Sequence, residues 1–387
     1  MPSSTSSSEL HTDAYARQTA SDRPGVAQPV PRRPVPAQPW GAILLGAVAL
    51  FAVLLGCWEA YWRAYGVVSG VRNGFGLWAI QRRRLDAGEG DATVLLGSSR
   101  LYFDVQLPVW ERLAGKAPIQ LSYEGTSPLT AIEDLAADPK FTGRLVVGVA
   151  PDEFFTGGGL GDEAAAYARR ESPAQRVGQW LSMHWVEPYL AFDDPDFALA
   201  TVLKRQDWPE RLGRHWFTDV RKLSIEELPR NAYLWAKVSE DLRYRELARN
   251  IWRQYFVIYP GDPTPAEELK TAREQIERMV KTMVQLRAHG VEVLFARLPS
   301  SGEYLAYEDQ HFPRAQTWDA WLAATHAPGI HFPDYPQLQG FELPEWSHMP
   351  RAEAERFTAA FYGIIEENFW HVDGAVEAAP PGTAASP

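Results

Sequence analysis

Apolar positions divide the chain into three regimes. Residues 1–39 are rich in Ser, Pro, Ala and Gln, with no apolar periodicity, a composition that predicts disorder. From Trp40 to Trp58 the chain reads WGAILLGAVALFAVLLGCW without one charge. Such a run crosses about 30 Å of hydrocarbon at ~1.5 Å per residue. Trp40, Trp58, Tyr61 and Trp62 flank it as interfacial aromatics do, so a transmembrane helix is expected over 40–62. A juxtamembrane linker is expected at 63–91, a folded domain at 92–371, and a second disordered tail at 372–387, which ends PPGTAASP.

Within the domain, short apolar runs alternate with stretches of helical spacing. Strands are expected at 93–96 (TVLL), 118–123 (PIQLSY), 144–150 (RLVVGVA), 291–298 (VEVLFARL) and 330–332. Helices are expected at 107–114, 128–137, 265–289, 315–324 and 351–367, with Gly290 stopping the third. Alternation of this kind predicts an α/β fold with a central, about five-stranded parallel sheet covered on both faces. Residues 156–264 break the rhythm, with Pro173, Pro188, Pro195, Pro209 and Pro229 interrupting helical spacing. They are read as a helical insertion, since the chain returns to the same sheet afterwards.

Charge and cysteine content narrow the function classes. Of 387 residues 45% are hydrophobic, enough for a sizeable core, and the net charge of −11 with no basic stripe argues against a nucleic-acid partner. The single cysteine, Cys57, rules out an internal disulfide. Leu54-Leu55-Gly56-Cys57 is similar to a lipoprotein cleavage box, so a retained span and a lipidated Cys57 are both open tethers. Arg32 and Arg33 before the run nearly balance Arg63, Arg72 and Arg82-Arg83-Arg84 after it, which leaves orientation open on charge alone.

Polar loops at the carboxyl ends of the strands carry the candidate chemistry, because ligands of open parallel sheets bind there. Gly97-Ser98-Ser99-Arg100 follows the first strand, Gly125-Thr126-Ser127 the second, and Pro151-Asp152-Glu153 the third. Glu345-Trp346-Ser347-His348 follows the fifth. A serine hydroxyl becomes a nucleophile when an imidazole takes its proton and a carboxylate orients that imidazole. Ser99, His348 and Glu345 supply those three parts, and the backbone N–H groups of Ser99 and Gly125 supply a candidate oxyanion site. Ser98 and Ser99 equally fit helix capping. Arg100 and Arg297 are candidate substrate-binding residues; for Arg297 a salt bridge to a rim carboxylate is the stronger expectation. Asp334 is the fallback acid. Asp152-Glu153 has no His or Cys at ligand spacing, so no metal site and no cofactor are expected.

These segments give the chain a resemblance to the SGNH/GDSL hydrolase superfamily, in particular its membrane-anchored branch working beside membrane-bound O-acyltransferases. The resemblance covers about residues 93–155 and 285–367. It maps the family's nucleophile to Ser99 of Gly97-Ser98-Ser99, its Asp-x-x-His to Glu345 and His348, and its second-block glycine to Gly125. Met349–Thr358 is similar to the helix opening that follows the family's histidine. Ser98 and Glu345 stand where the family usually has Asp, and Gly148-Val149-Ala150-Pro151-Asp152 replaces the third-block Gly-x-Asn-Asp, removing an Asn oxyanion donor.

The resemblance implies a flavodoxin-like three-layer fold and a serine acyl-ester enzyme tethered to the inner membrane by a single pass, its catalytic domain in the periplasm. It implies an O-acyltransferase acting on a cell-envelope polysaccharide, with that glycan and a membrane-bound O-acyltransferase as partners. Two alternatives stand beside it. One is an esterase or deacetylase of acylated envelope glycan or lipid. The other is a non-catalytic scaffold partner of the acyltransferase.

Overall fold

Runs of branched apolar residues form five parallel strands, buried on both faces as parallel sheets are. The computed structural model describes residues 38–159, 161–206, 218–257 and 261–370. Apart from residues 38 and 39, the tails expected at 1–39 and 372–387 lie outside the described residues. The strands are β1 (Thr93–Leu96), β2 (Ile119–Gln120), β3 (Arg144–Val149), β6 (Glu292–Arg297) and β7 (Gly329–His331). Between β3 and β6 the chain also forms β4 (Ser224–Glu227) and β5 (Asn231–Leu234). The large sheet has the order β2-β1-β3-β6-β7, so successive connections reverse direction between β1 and β3. That reversal opens a crevice at the carboxyl ends of β1 and β3, where such sheets bind ligands.

The period-two alternation of the strands assigns each side chain to a layer. Val94, Leu96, Leu145, Val147, Val293 and Phe295 face one core, packed with residues of helices Leu129–Ala136, Pro265–Ala288 and Trp318–Thr325. Leu95, Val146, Leu294, Ala296 and Ile330 face the other, packed with helices Leu107–Ala114 and Arg351–Asn368. A third cluster joins Tyr102 and Phe103 to Leu223, Ile225, Leu234, Trp235 and Tyr244, seating the insertion on the rim.

Two expectations are corrected. The insertion is not purely helical, because β4 and β5 pair as an antiparallel ribbon inside it. Arg230 at the ribbon's turn is fully buried and donates to the Gln120 carbonyl at 3.0 Å, while Asn231 accepts from the Leu107 N–H at 2.8 Å. Nor is 63–91 a linker. Helix Phe75–Asp86 buries Leu77, Trp78 and Leu85, and the Trp78 indole donates to the Leu121 carbonyl at 2.9 Å.

The chain divides into two units, Met1–Gly56 and Cys57–Pro387. Helix Trp40–Tyr65 begins in the first and is long and apolar enough to cross a membrane. None of its apolar window is buried, and Leu44, Leu45, Leu50 and Phe51 are each at least 60% exposed.

Two glycines bring the β1 exit against β3. A Cβ on Gly97 would meet the Gly148 Cα at 3.1 Å, and one on Gly148 would meet the Leu101 Cβ at 2.7 Å. Leu101 lies on the short helix Ser99–Asp104, so this contact fixes how that helix leaves β1. Gly148→Ala should therefore destabilise the fold by about 1–3 kcal/mol, as overpacked cores do. The urea midpoint reads this, and an unchanged midpoint would mean the helix shifts at no cost.

Candidate active site

Ser99 is the first residue of helix Ser99–Asp104, with Ser98 at the cap position in extended conformation. The Ser98 side chain makes no capping hydrogen bond to the helix, so capping does not account for it. On the far side of the rim, the loop after β7 closes on itself. Glu345 Oε1 accepts from the His348 backbone N–H at 2.7 Å and from the His348 Nδ1 at 2.9 Å. A carboxylate at Nδ1 selects the tautomer with its proton there and leaves the lone pair on Nε2. Among the described residues Nε2 has no hydrogen-bond partner, although His348 is 1% exposed.

This closure depends on an unusual backbone. Trp346, between the acid and the base, has φ +75°, a left-handed conformation rare for a bulky residue. Its ring packs on Gly302, where a Cβ would stand 2.5 Å from the indole, and beneath the guanidinium groups of Arg249 and Arg253. Its carbonyl accepts from the Ser301 N–H at 2.9 Å. The second Glu345 oxygen accepts from the Trp252 indole N–H at 2.6 Å. Trp252 belongs to insertion helix Leu242–Tyr255, so the insertion itself holds the acid. A hydrogen bond to a buried charge contributes about 1.5–3 kcal/mol.

Ser99 and His348 line one cavity of about 1060 Å³, together with Gly125. Phe103 lies one turn after Ser99 on the same helix face, and its ring centroid is 4.6 Å from that of His348. Positions four apart on a helix share a face, so Ser99 lies on the side of this helix that carries the Phe103 ring. Among the described residues no hydrogen bond joins the two side chains. Gly125 has φ +58°, which a glycine adopts without strain.

The remaining predicted residues lie elsewhere. Arg100 is buried, ion-paired with Glu308 at 2.7 Å and donating to the Ser347 Oγ at 3.0 Å. It braces the histidine loop and does not line the cavity, so the substrate contact expected of it is not made there. Arg297 pairs with the same Glu308 at 2.6 Å, the salt bridge the sequence favoured, and borders a separate cavity of about 520 Å³. Asp334 is held by both terminal nitrogens of Arg314 at 2.7 Å, leaving Glu345 as the carboxylate on His348.

Carboxyls that the sequence did not single out also face the cavity. Glu124 lies beside Gly125, and Glu226 comes from β4. The Ser224 hydroxyl lies between them, 3.0 Å from Glu124 and in contact with Glu226. One hydroxyl hydrogen serves only one acceptor, so the other carboxyl must bring its own proton. Burial and the neighbouring Glu124 push Glu226 up to about 8. Burial and Asp152 push Glu153 up to about 8 as well. Asp104 rises well above the usual carboxylate range through burial, while one of its oxygens accepts from the Met349 N–H at 2.9 Å. Glu124 and Glu226 escaped sequence reading because nothing local marks which carboxyls a distant ribbon will cover, whereas Glu153 belongs to the loop after β3 that the sequence had named.

No protein-family model matches the chain. Over 95 residues it is 30% identical to a protein described as "Lipoyl synthase" from Acidovorax ebreus (strain TPSY). That match covers 24% of this chain and 26% of the other protein, too little of either to assign a family.

The raised carboxyls make stability depend on pH. Glu153 and Glu226 ionise near 8 when folded and near 4.5 when unfolded, so the folded chain holds more protons across that window. Stability therefore falls as pH rises from about 4.5 to about 8. Glu226→Gln should flatten that decline in urea melts taken across the window. A slope equal to wild type would show that Glu226 is already ionised.

Proposed function

We propose that the chain is a membrane-tethered serine acyl-ester enzyme of SGNH type, with Ser99 as nucleophile, His348 as base and Glu345 as orienting acid. One observation carries the reading: a buried imidazole, fixed at Nδ1 by a carboxylate, has an Nε2 without a partner among the described residues, on the wall that also holds Ser99. The strand order adds to it, since β2-β1-β3-β6-β7 is the flavodoxin-like order and the site lies at its switch point.

The chemistry follows from the arrangement. Ser99 Oγ attacks the ester carbonyl as its proton passes to His348 Nε2, and the N–H groups of Ser99 and Gly125 receive the oxyanion. Collapse breaks the ester C–O bond, and the imidazolium returns the proton to the leaving alkoxide. The acyl group then passes from Ser99 to a glycan hydroxyl, or to water, with His348 again taking and returning one proton. Transfer to a cell-envelope polysaccharide on the outer side of the inner membrane is the favoured outcome, because a tethered enzyme works beside lipid-borne acceptors. Hydrolysis of the same esters uses the same groups. A cavity of about 1060 Å³ is large enough for a glycan residue with its acyl donor. A non-catalytic scaffold draws support from one observation, the unmade Ser99–His348 hydrogen bond.

Fluorophosphonate labelling of the full chain decides between enzyme and scaffold. Wild type should label covalently, and Ser99→Ala should lower the rate at least ~10³-fold, as loss of a nucleophile does in serine hydrolases. Labelling that survives Ser99→Ala, or a folded wild type that takes no label, contradicts the proposal. With an isotope-labelled acyl donor, label on glycan marks transfer and free acid marks hydrolysis.

A further inference from the structure

Helix Pro173–Trp185, in the insertion, presents an apolar stripe to solvent. Val177, Trp180, Leu181 and Trp185 follow the spacing of one helix face and are 58%, 49%, 47% and 66% exposed. The opposite face is the packed one. Met183 is buried with Val71 and Leu77, and Gln179 lies against Gly76. Just beyond the helix, Val186 and Tyr189 are also exposed, at 37% and 61%. Helix PAQRVGQWLSMHW contains no acidic residue, and its Arg176 pairs with Glu171 at 3.1 Å. Two tryptophans and a leucine on a free face are a large apolar exposure for a surface helix.

The segment that follows is tied to the end of the long apolar helix. Glu59 accepts from the backbone N–H groups of Ala191 and Phe192, each at 3.0 Å. Arg63 donates to the Tyr189 carbonyl at 2.8 Å. Glu59 is the first charged residue after the uncharged run 40–58. A charge in that position stays at the headgroup boundary, since burying it in hydrocarbon is costly. Tyr189, Ala191 and Phe192 are hydrogen-bonded to this region, so a span that stops at Glu59 would set them near that boundary. Trp185 lies four positions before Tyr189, at most about 14 Å away along the backbone.

We propose that the Val177–Trp185 face lies in the lipid interface as a second, in-plane contact beside the span. The inference rests on the membrane-tethered reading above and names what covers this face. Tryptophan belongs chemically at that depth, where its ring is apolar and its N–H meets headgroups. With no carboxylate on the helix, anionic lipid meets no repulsion there.

The test uses the full chain, with Cys57→Ser, reconstituted in vesicles of phosphatidylcholine and phosphatidylglycerol. Single cysteines at Leu181, Trp185 and, within the span, Val48 carry an NBD fluorophore, and nitroxide-bearing lipids act as quencher. Emission at 181 and 185 should fall at least about two-fold, as expected for a face buried ~5–10 Å into the headgroup boundary. Quenching at 48 without quenching at 181 or 185 overturns the in-plane contact and leaves the tether intact. If 181 is shielded from aqueous iodide yet untouched by the lipid quencher, a protein partner or second copy covers the face, which also overturns the proposal. Absence of quenching at 48 removes the tether itself, and the in-plane contact with it.

Discussion

The Glu345 carboxylate is the contact on which the site depends. One oxygen receives both the backbone N–H and the Nδ1 of His348, and the other receives the Trp252 indole. Three donors on one fully buried acid compensate for its desolvation, which unpaired would be severe. They also leave the imidazole with one rotamer and one tautomer. The longer arm of glutamate suits this loop, because it must reach back over the left-handed Trp346 to meet its own loop's backbone. The methylene that distinguishes Glu345 from a shorter aspartate is thus used by the local geometry.

Around that contact the buried charges form a connected frame. Glu308 sits between Arg100 and Arg297, and Arg100 in turn donates to Ser347 beside His348. Such a triad adds little net stability, but removing one member leaves an uncompensated charge, so it selects one arrangement of the loops. The insertion contributes as much as the sheet. Trp252 holds the acid, Arg249 and Arg253 cover Trp346, and the β4–β5 ribbon brings Glu226 to the cavity wall. The sheet aims the residues at the rim, and the insertion encloses them in a low-dielectric space where hydrogen bonds to charge are stronger.

Much of this was legible in the chain. The strands declared themselves because buried parallel strands are short runs of Val, Ile and Leu, and β1, β3 and β6 fall within a residue or two of expectation. Glu345 and His348 were legible because three positions separate them and their contact is local. What escaped is what depends on partners far along the chain. The strand expected at 118–123 forms only Ile119–Gln120, although the Leu121 and Tyr123 N–H groups still bond to the Leu95 and Gly97 carbonyls. The ribbon, the helix at Phe75–Asp86 and the Trp252–Glu345 bond left no periodic trace, since each is decided by what it packs against. A relative matched over a quarter of its length bears on none of these placements, which rest on the site geometry.

The tautomer of His348 tests the account most directly. With isotope-labelled histidine in the full chain, nitrogen NMR in mildly alkaline buffer should show a proton on Nδ1 and a lone pair on Nε2, and Glu345→Gln should disturb that state. A wild-type His348 carrying its proton on Nε2 would contradict it, because that nitrogen would then have no lone pair with which to take the Ser99 proton.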